Sequence, residues 1–452
     1  MFGFSMVQMV RNHSGKLDRS FRELILNQYK PFKWTPCFMH KLFEKMIKSS
    51  KKLSVIFEFK EGCFEDGCYE VSHLTDRHLR NKVNNHFKRV SCCSAEIAPN
   101  GLADILSNCQ HIKRIYLNHE VKAVLNVAVP SANANNIIRN ETKLTGKDVK
   151  IPIIDTGIYP HKDLNGRIVD FIDFINNRIE PYDDNGHGTH CAGDAASASP
   201  KYKGPAPEAN LVGVKVLDKM GSGSLETLMQ GVEWCIQYNE KNPKQKIDII
   251  SRSLGATAQN YAEENDNPMV QIVEKAWEAG IVVCVAAGNE GPDNGTIASP
   301  EISDLVITVG ALDDKNTADS REDDDVADFS STGPTKYKDK NEPNQFVTKP
   351  DLLALGVNII SLRSPNSYLD KMQKGSRVEI DYCVLSGTSM ATPICAGVVA
   401  LMKQYDPNLQ PDDIKNMLIS GTDLWKSNHS LQFDRNTYGH GYINGENSIP
   451  KS

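Results

Sequence analysis

From residue 148 onward the chain alternates short, strongly apolar runs with stretches of helical periodicity, and few architectures accommodate that alternation. Residues 149–154, 210–217, 247–251, 281–286 and 305–309 read as strands, while 225–238 and 269–279 carry helical spacing. Strands apolar on both faces and separated by helices predict a doubly wound α/β domain, with a mainly parallel sheet and helices on both faces. In such sheets functional side chains collect at the carboxyl ends of the strands.

Four such positions carry chemistry. Asp155-Thr156-Gly157 closes the first strand, where a carboxylate followed by a glycine turn can orient a histidine or simply start a turn. Asp184-Asn185-Gly186-His187-Gly188-Thr189-His190 places His187, whose pKa suits a general base, between two glycines that permit close backbone approach. His190 three residues on makes a weak metal pair, with no third ligand in view. Asn289, between Gly288 and Glu290-Gly291, offers two amide donors of the kind an oxyanion hole needs. Ser389 stands in Gly387-Thr388-Ser389-Met390-Ala391-Thr392-Pro393 at the start of an Ala-rich helical run. A serine there either caps the helix or attacks a carbonyl beside free backbone N–H groups.

These strings, in the order Asp…His…Asn…Ser, resemble the motifs of the subtilisin family of serine peptidases over roughly residues 148–446, and among them the cytoplasmic AprX-type bacterial members. The resemblance implies a subtilisin-like fold and an endopeptidase acting through an acyl-enzyme. Ser389 is then the nucleophile, His187 the base, Asp155 its orienting acid, and Asn289 with the Ser389 N–H the oxyanion hole. It also implies substrate-binding edges at Gly221-Ser222-Gly223 and Ser253-Leu254-Gly255, where a peptide can add as a strand. Two other readings stand beside it. A non-catalytic peptide-binding relative would need no intact triad. An esterase of the α/β-hydrolase type would need a second glycine after Ser389, and there the acid follows the serine.

Upstream, residues 1–50 are basic and mixed, with helical fragments around 19–29 and 38–49 and no readable function. Residues 51–127 read as four strands, at 53–59, 90–97, 111–116 and 121–127, and two helices, at 74–87 and 101–108. That content fits a small α+β ferredoxin-like unit, which the resemblance makes a pro-domain that acts as the enzyme's own partner. Residues 128–147, rich in Ala, Asn and Ser, read as an exposed linker. A self-cleavage site is expected between Asn126 and Asn136, with residues 121–126 lying in the substrate groove, and the catalytic domain is expected to span 148–452.

The formal charge of −6 gives no reason to expect nucleic acid, and no apolar run reaches membrane-spanning length. Protein or peptide substrates are therefore the expected partners. Eleven cysteines, without zinc-finger spacing in Cys63…Cys68 or Cys92-Cys93, suggest free thiols and a cytoplasmic, reducing location. The chemistry calls for no cofactor. Structural Ca²⁺ at Arg321-Glu322-Asp323-Asp324-Asp325 is the alternative to a solvated charged loop. Three residues fit the family poorly. Pro152 lies inside a central strand, Leu355 replaces a proline, and Arg252 sits in an apolar run where an unpaired guanidinium would cost several kcal/mol.

Overall fold

The computed structural model describes residues 5–17, 52–77, 81–88, 91–117, 129–254, 267–297, 299–315, 323–335, 345–424 and 434–451, with isolated positions 22, 26 and 317. The chain divides into two compact units, Met1–Val121 and Lys122–Ser452.

In the first unit a short helix α1 (Ser5–Asn12) precedes β1 (Leu53–Phe59), α2 (Phe64–Asp76), β2 (Lys82–Phe87), β3 (Cys92–Ile97), α3 (Pro99–Asn108) and β4 (Ile112–Leu117). The sheet order is β2-β3-β1-β4, and β1 alternates buried and half-buried residues as a one-sided strand must. The helix expected over 74–87 is corrected. The helix ends at Asp76, its buried face set by Cys68, Val71, Leu74 and Thr75. Residues 82–87 form an edge strand instead. The pair Asn84-Asn85 resists helix formation, and antiparallel pairing to β3 supplies the backbone hydrogen bonds. The strand expected at 121–127 and the fragments at 19–29 and 38–49 lie largely or wholly outside the described residues.

The second unit holds the predicted parallel sheet. Its strands are β7 (Lys150–Asp155), β8 (Ile168–Asp173), β9 (Asn210–Lys215), β10 (Ile249–Arg252), β11 (Val282–Ala286), β12 (Ile307–Asp313), β13 (Asp325–Val326) and β14 (Leu352–Leu355), preceded by a two-residue hairpin β5 (Ile138–Arg139) and β6 (Thr142–Lys143). The order β13-β12-β11-β10-β7-β9-β8, with β14 also on β12, places β7 centrally. The chain leaves β7 toward β8 and β9, then crosses to β10 on the other side, so a crevice opens at the carboxyl ends of β7 and β10. Helices α4 (His187–Ala196), α5 (Leu225–Lys241), α6 (Pro268–Glu278), α7 (Thr388–Tyr405) and α8 (Pro411–Gly421) surround the sheet. Helices α4 and α7 meet where Gly397 has no side chain: a Cβ there would lie 2.8 Å from the Ala195 carbonyl oxygen.

The misfits are resolved by partners distant in sequence. Lys150 N–H points at Asp248 on the β10 side, so by alternation the missing N–H of Pro152 faces that side too. The β7–β10 ladder begins only at Ile153, beyond the proline, while Pro152 keeps its register with Val212 of β9. Arg252 is 1% exposed and its Nη1 donates to Glu301 Oε1 at 2.7 Å. Removing Arg252 alone would strand a buried carboxylate, so Arg252→Met is not a stabilising change. Leu355 is simply a buried residue of β14.

The expected exposed linker is also corrected. Val129, Ala132, Ala134 and Ile137 are buried in the core of the second unit. Gly445 N–H donates to the Ala132 carbonyl, and Glu446 N–H to that of Asn133. Arg139, buried, donates to the carbonyls of Glu446, Ile449 and Pro450 at 2.8 Å each. Small, polar-looking residues here are the ones that fit beneath the C-terminal segment.

Candidate active site

Asp155 ends β7 with its carboxylate fully buried. Its Oδ1 accepts the Thr156 N–H at 2.7 Å. His187, the first residue of α4, places Nδ1 2.8 Å from Oδ1 and 2.9 Å from Oδ2. That contact holds a proton on Nδ1 and leaves the Nε2 lone pair for chemistry. The approach depends on Gly188, where a Cβ would lie 2.2 Å from the Gly157 carbonyl oxygen.

Burial by itself would lower the His187 pKa. The charge of Asp155 and its hydrogen bond outweigh that penalty and hold the imidazole well above its ordinary 6.5. Cys191 lies one turn along α4, its Sγ 3.8 Å from His187 Nδ1. Burial lifts this thiol to about 11, so it stays neutral at pH 7.

Ser389 occupies the first turn of α7, and its N–H has no helical partner there. Its hydroxyl donates to the Ser253 carbonyl at 2.9 Å rather than to His187. Its own carbonyl, deprived of a helical donor by Pro393, accepts the Cys191 thiol at 3.4 Å. Asn289 follows β11, and its Oδ1 accepts from the Thr388 N–H and hydroxyl at 3.0 and 3.1 Å. Because an N–H can only donate, the amide oxygen must face Thr388, and Nδ2 is left on the Gly387 side with both protons.

His187 and Ser389 line one cavity of about 610 Å³, together with Gly221, Ser222, Gly223, Ser253 and Leu254. The sixth expected edge residue, Gly255, lies outside the described residues. His190 is not beside His187 as a metal pair. It is buried, with Nδ1 on Asp194 at 2.9 Å and Nε2 on the Ile359 carbonyl at 3.1 Å.

Sequence reasoning missed the support beneath the site. Asp183 Oδ1 accepts from Thr156 Oγ1 and the N–H groups of Asn185 and Gly186. Its Oδ2 accepts from the Thr189 N–H and hydroxyl. This one carboxylate ties the Asp155 turn to the start of α4. An Asp shortly before a helix start is a capping signal, and it was there to be read. Lys215, fully buried, donates to the Thr156 and Leu217 carbonyls and to Asp184. Nothing in the sequence distinguishes it from a surface lysine.

Of the acidic run, Arg321 and Glu322 lie outside the described residues. Asp323 Oδ1 accepts the Thr317 hydroxyl, and Asp325 Oδ1 accepts the Val326 N–H and the Tyr438 hydroxyl. Among the described residues, ligand atoms converge only in Glu70, Cys109 and His111, and in Asp155, His187 and Cys191.

Residues 146–441 match the model of the subtilase family. The chain is 57% identical, over the full length of both, to serine protease AprX of Bacillus subtilis (strain 168). It is 34% identical to subtilisin DY of Bacillus licheniformis, over 67% of this chain and 90% of that one. A crystal structure of a cold-adapted subtilisin-like serine proteinase superposes with a TM-score of 0.51 at 27% identity, covering 71% of this chain and 98% of the other. The fold is the α/β subtilisin fold, and the chain belongs to the subtilase family as a subtilisin-like serine protease of AprX type.

Proposed function

We propose that this serine endopeptidase works through Asp155, His187 and Ser389, with Asn289 Nδ2 and the Ser389 N–H as oxyanion donors. The observation that carries the assignment is the clamp of His187 Nδ1 on both Asp155 oxygens, in a cavity His187 shares with Ser389. A peptide laid along Ser253-Leu254 presents an N–H to the Ser253 carbonyl and competes with the Ser389 hydroxyl for it. Rotation about χ1 then frees the hydroxyl for His187 Nε2. His187 takes its proton as Oγ attacks, and returns it to the leaving amine, while Asp155 stabilises the imidazolium. No step needs a cofactor, and calcium plays no part in the chemistry.

The donor role has its own test. Asn289→Ala is expected to lower kcat by about 10²–10³-fold with little change in KM, a magnitude carried over from subtilisin itself, where the corresponding asparagine was replaced. An unchanged kcat would sink the assignment.

In the same reading, the unit Met1–Val121 is the pro-domain, released by self-cleavage. Since Val129 to Asn136 belongs to the packed second unit, the bond cut lies on the N-terminal side of Val129. The ten described cysteines are free, which supports a reducing, cytoplasmic location. Protein and peptide substrates suit the chemistry. The net charge of −6 offers no attraction for nucleic acid, and no described helix is long and apolar enough to cross a membrane.

A further inference from the structure

We propose that Arg252, with Glu301, sets which residue the peptidase accepts at P1, the residue that contributes the scissile carbonyl, and that this residue carries a carboxamide: Gln or Asn. The inference rests on Ser389 being the nucleophile.

Position comes first. Arg252 ends β10 immediately before Ser253, whose carbonyl holds the Ser389 hydroxyl, and it lines the catalytic cavity beside Leu254 and Ser299. The attacked carbonyl must sit within reach of Ser389 Oγ. The side chain of the same residue leaves the backbone one atom away, so it enters the part of the cavity walled by the Arg252–Leu254 segment.

Chemistry follows from what the buried pair leaves over. The guanidinium spends Nη1 on Glu301 Oε1 at 2.7 Å. Its Nε and Nη2, together with Glu301 Oε2 and Ser253 Oγ, are buried without a hydrogen-bond partner among the described residues. Buried donors and acceptors left unmade are costly and call for an explanation. A carboxamide brings an acceptor for the guanidinium and a donor for the free carboxylate oxygen, so it matches both partners. A carboxylate at P1 would meet the unpaired Glu301 oxygen, a lysine would meet Arg252, and an alkyl or aromatic group would leave every one of these atoms unsatisfied. Sites built to hydrogen-bond a substrate reject analogues lacking the group far more strongly than apolar pockets discriminate by size.

The test is a series of peptide anilides differing only at P1 (Gln, Glu, Leu, Phe, Lys). It is run on the mature enzyme, on Arg252→Lys, and on the double variant Arg252→Met/Glu301→Ala, which removes both charges together and strands neither. Active sites are counted in each preparation by fluorophosphonate titration. Absence of labelling in the wild-type enzyme would speak against the nucleophile, not against the pocket. With labelled enzyme, kcat/KM for Gln is expected to exceed that for Leu by at least about tenfold. Arg252→Lys, which keeps the charge but loses the planar fork, should lose most of that margin. In the double variant Leu should overtake Gln. Identical P1 profiles in wild type and double variant would overturn the proposal, as would Glu, Lys, Leu or Phe heading the wild-type profile.

Discussion

In the proposed mechanism His187 must be neutral when it accepts the serine proton, yet Asp155 beside it favours the charged form. With its pKa held above 6.5 in the folded enzyme, the protonated imidazole contributes stability that is fully present below 6.5. That contribution is lost as pH rises through the raised value. Activity runs the opposite way, because only the neutral ring can act as base. The profile of kcat/KM against pH is therefore expected to rise with an apparent pKa above 6.5, and Asp155→Asn should move that limb to lower pH, since the charge that most opposes the effect of burial is then gone. A limb at or below 6.5 in the wild type would contradict the pairing. At this scale the polar strings at strand ends were legible because each chemistry demands a particular residue type. Lys215 and Glu301 were not, because their importance lies in partners far along the chain or in burial.

The strands and helices read from the sequence in the second unit are there within a few residues, whereas β8 and β14 were not read from it. Errors fell where local preference and long-range pairing disagreed: residues 82–87 took the edge of a sheet, and Pro152 sits in a central strand just before its pairing with β10 begins. The element that most directly sets the catalytic spacing is the contact of α4 with α7, since one carries His187 and the other Ser389. Gly397→Val would drive side-chain atoms into the Ala195 carbonyl, already 2.8 Å from a Cβ at that position. The expected result is destabilisation by about 1–3 kcal/mol in urea unfolding, with a fall in kcat as the helices separate. A fully stable, fully active variant would show that the close approach does not set the spacing.

Across the whole molecule, composition misled where packing decided. An Ala/Asn/Ser-rich stretch looked like a linker, yet small residues are what the space beneath the C-terminal segment admits, and Arg139 fastens it there. The proposed self-processing should accordingly give a new N-terminus at or upstream of Val129, read by N-terminal sequencing of the matured enzyme. Active enzyme retaining Met1, or a start within 130–136, would contradict it. The central claim is that one serine, activated by one histidine, does the work. Its most direct measurement is fluorophosphonate labelling mapped by mass spectrometry alongside hydrolysis of an unfolded protein. Wild-type enzyme should take up one label per chain, on Ser389, and lose proteolysis in step. Ser389→Ala should fold with an unchanged far-UV spectrum, take no label and hydrolyse nothing. Label on another residue, or proteolysis persisting in Ser389→Ala, would contradict the account.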